Sequence, residues 1–314
     1  MAVHTLKAVA RTQGATAAVK DGSIAPDGIA FEFEEISPLP KAFRRMVREL
    51  AFDVCEMAFT TYLCAREHGK PFTALPVFLV RDFHHGAVVR RPDGPVHRPA
   101  DLEGQRVAVN RGYTVTTGVW DRGILAEEHG VDLARVTWVT TGADHVAEYE
   151  PPGNVVAADE GVGPTDLLAA GEVAAAVGLK ADDTGLVPVI DDPDAAALAA
   201  LRRDGLYPIN HLVVVRDDLL AAQPGLATAL FRTFAEAKRG YVDQLRSGAL
   251  GEPTAADRVL QRAMTVLDDP LPYGIEPNRA MIDKLLDYAV DQHILDRRPE
   301  VAELFVPETH DLVA

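Results

Sequence analysis

Short apolar runs alternate along this chain with longer segments whose apolar residues recur every three or four positions. That alternation restricts the fold more than any other feature, because it calls for α/β units with mainly parallel strands covered by helices. HTLKAVA (4–10), GIAFEFEEI (28–36), FDVCEMA (52–58), FTALPVFLV (72–80) and GAVVR (86–90) read as strands. Helices are expected at 16–21 and 41–50, the second with Phe43, Met46, Val47 and Leu50 on one face. The stretch RPDGPVHRPADLEG (91–104) holds three prolines and two glycines, enough to mark a boundary between lobes. Strands at 106–110, 136–140 and 173–177 follow, with helices at 118–129, up to Gly171, and at 194–204. A strand enters through YPINHLVVVR, and beyond Asp217 the pattern is helical, at 226–245, 254–267 and 277–293. The division expected is lobe I from 1–87 and 213–314, and lobe II from 88–212.

A chain of 314 residues with 47% hydrophobic side chains can build two cores and is too apolar for disorder. Its net charge of −16, without a basic stripe, argues against nucleic acid and against an anionic membrane surface. No apolar run approaches the roughly 20 residues of a membrane span. Only Cys55 and Cys64 are present, which excludes a disulfide scaffold and suits two reduced, buried thiols. In the opening MAVHTLKAVARTQGAT, Lys7 and Arg11 break any apolar run of export-signal length, so a cytoplasmic location is expected. An anionic ligand of so acidic a chain needs locally concentrated Arg or His.

Four places carry residue types suited to chemistry. RDFHHG (81–86) places His84 and His85 at a crossover, before a glycine that permits close backbone approach; the plainer reading is a solvated pair in a polar turn. PINH (208–211) puts His211 at the mouth of an apolar strand, where it is either structural or a general acid–base group. Glu56 ends the buried strand FDVCEM, as a site carboxylate or a simple ion-pair partner. If the chain crosses between lobes near 86–90 and returns near 211–216, His84 and His85 come close to His211. Glu56, one of that pair and His211 could then hold a divalent metal ion, although no HExxH-type spacing supports it. NRGYTVTTG (110–118) runs from a strand into a helix, so its N–H groups and Arg111 suit a carboxylate, with Thr114 either a grip or a plain cap. Arg11, with Thr12 and Thr16, holds the matching position in the first lobe. The loop ADHVAEYEPPGNVV (143–156) offers His145, Glu148 and Tyr149, more plainly read as surface.

FDVCEMAFTTYL, LPVFLVRDFHHGAVVRR, NRGYTVTTGVWDRGIL, AEYEPPGNVV and GLYPINHLVVVRDDL together resemble the 4,5-dihydroxyphthalate decarboxylase family, over residues 6 to about 245. That family is similar to cytoplasmic relatives of the type II periplasmic-binding-protein superfamily. NRGYTVTTGVW and EPPGNV (150–155) are the more specific parts; DLEGQRVAV and LLAAGEV are common to many solute receptors. The resemblance implies a two-lobed fold and non-oxidative loss of CO2 from a dihydroxylated aromatic diacid, giving protocatechuate. It points to Glu56, His84, His85, Arg111, Tyr113 and His211, with a divalent metal ion as an optional cofactor. The expected partner is a small anionic aromatic substrate, and the helical C-terminal third is a candidate surface for a homo-oligomer. The alternative is a non-catalytic carboxylate receptor of the kind that serves ABC transporters.

Overall fold

The computed structural model describes residues 4–181 and 185–314. Its strands are β1 (His4–Val9), β2 (Ile29–Phe33), β3 (Val54–Ala58), β4 (Phe72–Arg81), β5 (Val88–Arg90), β6 (Arg106–Val109), β7 (Thr137–Thr140), β8 (Val155–Ala157), β9 (Ala175–Val177), β10 (Val187–Pro188) and β11 (Ile209–Arg216). The chain forms two compact units. The first runs through Asp82 and adds Ile209–Asp283 and Pro299–Ala314; the second takes Phe83–Pro208 and Lys284–Arg298.

In the first unit the strand order is β2-β1-β3-β11-β4. β1 is parallel to β2 and β3, while β11 runs antiparallel between β3 and β4. β3 is buried along its whole length, as a central strand covered on both faces must be. The helix Pro40–Glu49 starts on a proline that needs no N–H partner and buries Ala42, Phe43, Met46 and Val47. Burying Phe43, Met46 and Val47 stabilises by roughly 1.5–3 kcal/mol each. Helix Gly14–Lys20 lies against the long helix Leu226–Ser247. The contact depends on Gly14, where a Cβ would come within 1.9 Å of the Tyr241 ring.

The second unit orders its strands β10-β5-β9-β6-β7-β8, with β9, β6, β7 and β8 mutually parallel and β5 and β10 antiparallel at one edge. Along β6, Val107 and Val109 join one core cluster with Leu125, Trp138 and Val177, whereas Ala108 joins another with Val139 and Leu167. Both faces of this sheet are therefore covered, which explains the near-continuous apolar strands of the sequence. Helix Thr116–His129 ends on Gly130 at φ 67°, a left-handed cap that glycine adopts without strain.

Parallel pairings outnumber antiparallel ones, and the mixed α/β class follows the sequence pattern. Two strands lie outside the expectation. β8 falls in what reads as a polar loop, and β10 spans only Val187–Pro188; both sit at sheet edges and are too short to show a period. The helix expected at 254–267 ends at Ala263. Among the described residues no helix is long and apolar enough to cross a membrane.

Candidate active site

In the first unit β3 and β11 bring a carboxylate and an imidazole together. Their antiparallel register sets Val213 opposite Glu56 and His211 opposite Ala58. Residues opposite one another, and those two positions along, share a sheet face, so Glu56 and His211 are diagonal neighbours. His211 Nδ1 stands 2.6 Å from Glu56 Oε1. Arg11, just past the end of β1, completes the group: its backbone N–H donates to Glu56 Oε2 at 2.8 Å and its Nε to Oε1 at 2.9 Å. Arg11 Nη2 also lies 3.1 Å from His211 Nδ1. One ring nitrogen cannot both donate to a carboxylate and accept from a guanidinium. The shorter, charge-assisted contact decides for Nδ1–H donating to Glu56, a tautomer assigned from the bonding pattern. Phe43 presents its ring edge-on to the imidazole at 5.2 Å and restricts its rotation.

The loop carrying Arg11 is fixed on several sides. Thr16 Oγ1 donates to the Arg11 carbonyl at 2.7 Å, Lys20 Nζ to the Ala10 carbonyl at 2.8 Å, and Gln13 Nε2 to the Leu79 carbonyl on β4 at 2.7 Å. Thr16 is thus a buried loop brace, not a ligand grip. Burial by itself pushes the Glu56 carboxyl up, but the hydrogen bond and charge of His211, with Arg11 beside it, outweigh burial and hold it below the ordinary carboxylate range. The Glu56 side chain is wholly enclosed, while 40% of the Arg11 side chain and 14% of His211 remain accessible. A buried anion therefore holds two cation-forming groups at the surface of the unit. Cys55, next to Glu56, is a free, buried thiol whose pKa burial raises well above the ordinary value, so it is not a nucleophile.

His84 and His85 belong to the second unit, and both are buried rather than solvated in a polar turn. His84 Nδ1 lies 3.3 Å from Asp121 Oδ1, and the other oxygen of Asp121 accepts the Gly178 N–H at 2.7 Å. Burial pushes the Asp121 carboxyl up in spite of these partners. His85 Nε2 faces Glu128 at 3.2 Å, and Glu128 also receives Arg203 at 3.0 Å. Adjacent histidines thus serve different carboxylates, and neither Asp121 nor Glu128 announces itself in the sequence.

The loop 110–118 departs from expectation. Thr114 donates both its N–H and its hydroxyl to Asp144 at 2.7 Å, and the Tyr113 N–H reaches the same carboxylate at 3.3 Å. The carboxylate that Thr114 holds in this structure is the chain's own. Gly112 permits this, since a Cβ there would sit 2.4 Å from Asp144 Oδ1. The Tyr113 ring lies 3.9 Å from the guanidinium of Arg122, a fully buried cation that donates to the Tyr113 carbonyl at 2.7 Å and to Gln292 at 2.8 Å. Tyr113 is thus a packing partner. Arg111 is exposed, adopts φ 76°, and is fastened through its N–H to Thr141 Oγ1 at 3.0 Å. In the following loop His145 is buried, and the Tyr149 hydroxyl donates to the His293 carbonyl at 3.2 Å.

Within the first unit, Glu56 is engaged as an ion-pair partner and not left open for the divalent ion considered from the sequence. Both Glu56 oxygens are engaged by Arg11 and His211, and His84 and His85 have carboxylate partners of their own. Among the described residues no group of three or more His, Cys, Asp and Glu side chains is arranged to hold a metal ion.

No protein-family model matches the chain. A curated 4,5-dihydroxyphthalate decarboxylase from Comamonas testosteroni is 32% identical over 304 residues, covering 91% of this chain and 92% of that one. The chain belongs to the 4,5-dihydroxyphthalate decarboxylase family. A second member, from Pseudomonas putida, is 33% identical over 169 residues, covering 51% of this chain and 65% of its own. Among solved structures, the alkanesulfonate-binding protein SsuA from Xanthomonas axonopodis pv. citri superposes with TM-score 0.55 at 15% identity, covering 98% of this chain and 99% of that one. The desulfurization enzyme DSZB gives TM-score 0.57 at 16% identity, covering 98% of both chains. At such identities the likeness concerns the fold alone, a periplasmic-binding-protein-like one shared by this family member, a receptor and an enzyme.

Proposed function

We propose that this protein is a carboxy-lyase that removes CO2, without oxidation, from a dihydroxylated aromatic dicarboxylate, in the manner of 4,5-dihydroxyphthalate to protocatechuate. The observation that carries the reading is the 32% identity to a curated decarboxylase over nearly the whole of both chains. The cluster of Arg11, Glu56 and His211 supplies chemistry to match.

In this reading Arg11, anchored through Nε on Glu56, offers its outer edge to a substrate carboxylate. A ring hydroxyl para to the departing carboxylate gives its proton to solvent water, and the phenolate pushes electron density onto the ring carbon. His211 protonates that carbon, the carbon–carboxylate bond breaks, CO2 leaves with no change of oxidation state at the protein, and aromaticity returns. Glu56 stays ionised, fixes the ring through Nδ1, and stabilises the imidazolium before it gives up its proton. Positioned proton transfer of this kind supplies about 10²–10⁴-fold. Arg111 is proposed as an anion-binding residue of the second unit, and two buried cysteines outside any disulfide accord with a cytoplasmic setting.

The test is incubation with 4,5-dihydroxyphthalate while CO2 and protocatechuate are measured. Stoichiometric release of both is expected. Tight binding with no CO2 would replace this reading with that of a carboxylate receptor.

A further inference from the structure

The histidines of the first unit differ in what stands behind the ring. Among its described residues, His4 meets the Gln223 amide, and His68 and His310 meet backbone carbonyls. His211 alone of these meets a carboxylate, with Nδ1 2.6 Å from Glu56 Oε1. An imidazole backed by a buried anion is supported in its charged form and still returns to its neutral one, so it both gives and takes a proton. The guanidinium of Arg11 stays charged and does neither. Because Nδ1 is committed to Glu56, the proton that moves is carried by Nε2. The His211 side chain keeps 14% of its surface accessible while Glu56 keeps none, so the imidazole renews its proton from water and the carboxylate behind it stays dry.

The anion grip adjoins this acid. Arg11 Nη2 lies 3.1 Å from His211 Nδ1, and the Arg11 side chain is 40% accessible. A carboxylate on Arg11 and a carbon facing His211 are therefore neighbours on one small ring, which is an ortho relation. The carboxylate that Arg11 holds is then the one that stays, since the one that leaves sits on the carbon being protonated. The product of the proposed reaction keeps that carboxylate and both hydroxyls. It fits the cluster as the diacid does, with a hydrogen where the departing carboxylate stood.

We infer that the protein has a second activity, the exchange of one ring hydrogen of its dihydroxybenzoate product with water; the inference rests on the proposed decarboxylation. The hydroxyl para to the reacting carbon gives its proton to water. The phenolate's electrons then form a bond from that carbon to the proton on His211 Nε2, which leaves a neutral imidazole and a tetrahedral carbon bearing two hydrogens. The imidazole takes the other hydrogen as a proton, its bonding pair returns to the ring, and aromaticity is restored. Nothing is oxidised or reduced, and the net change is one ring hydrogen for one from solvent. The step is the one that expels CO2, with a proton leaving in its place. In protocatechuate only one hydrogen is both ortho to the carboxylate and para to a hydroxyl, so a single position exchanges.

The experiment is incubation of the whole chain with protocatechuate in heavy water, each ring-proton signal being followed by NMR. The signal of that one position is expected to fade about 10²–10⁴-fold faster than without protein, while the other ring signals hold. His211→Asn is expected to return the rate to that of the protein-free solution, and His211→Gln serves in its place where circular dichroism shows the first variant unfolded. No acceleration, equal fading at every ring position, or full acceleration in a folded His211 variant overturns the inference. CO2 release from 4,5-dihydroxyphthalate is measured separately. Release without exchange removes this activity and leaves the decarboxylase reading standing; exchange without release does the reverse.

Discussion

Replacing Glu56 by Gln probes the cluster through stability as well as activity. The buried carboxylate accepts from the Arg11 N–H, from Arg11 Nε and from His211 Nδ1, at 2.8, 2.9 and 2.6 Å. An amide of the same shape keeps one acceptor oxygen and turns its NH2 toward a donor, so at least one contact becomes repulsive. A hydrogen bond to a charged group contributes about 1.5–3 kcal/mol, and breaking a buried ion pair from one side costs about 3–5 kcal/mol. Relief from burying the charge offsets part of this. The expected loss is about 2–4 kcal/mol at pH 7, read from urea unfolding followed by circular dichroism. The folded carboxyl titrates below its unfolded counterpart, so its contribution is present in full above the unfolded value and lost as pH falls through the folded one. The gap between wild type and variant should therefore hold steady from pH 7 to about 5 and narrow below about 4.3, the reference value for Glu. Equal stability at pH 7, or a gap that widens in acid, would refute the assignment of Glu56 as an ionised, bonded carboxylate.

His211→Asn keeps a donor where Nδ1 stands but has no acid, so stability should change by less than about 1 kcal/mol while CO2 release falls about 10²–10⁴-fold. Gly112→Ala would press a methyl to 2.4 Å from Asp144 and part it from Thr114; thermal melting should show a loss of about 1–3 kcal/mol. Gly14→Ala meets the Tyr241 ring at 1.9 Å, and urea unfolding should reveal a comparable cost as the two helices separate.

The strands and helices were legible because their periods are set by which face is buried, and most boundaries follow from Pro40, Gly130, Gly171 and similar punctuation. β8 and β10 were not, since strands this short at a sheet edge are defined by pairing rather than pattern. Glu56 and His211 could be picked out separately, as a carboxylate ending a buried strand and an imidazole opening one. Their contact comes from the register of β3 with β11, which no local window displays. Arg11 was visible as a cation after a strand, but not as the partner of Glu56. Asp144 illustrates the opposite failure. The sequence displays a helix approach rich in N–H groups and suggests a ligand, yet a carboxylate some thirty positions further on takes them. Asp121 and Arg122 stayed hidden because adjacent charges in a helix ordinarily lie in solvent, and here both are buried.

The buried carboxylate also separates catalysis from mere recognition. A receptor for anions uses Glu56 only to anchor its guanidinium, a role an amide can partly keep, while the ionised charge opposes the bound anion. Two negative charges about 6 Å apart repel by roughly 3 kcal/mol at an effective dielectric constant near 20. A receptor should therefore bind its anion more tightly once Glu56→Gln removes that charge. An acid–base enzyme needs the carboxylate, because it fixes the imidazole tautomer and supports the imidazolium. The two accounts thus predict opposite rewards for one substitution. Under the decarboxylase reading, Glu56→Gln lowers turnover by at least tenfold even where a substrate-like diacid binds as well or better; unchanged turnover with improved binding would hand the cluster to recognition alone.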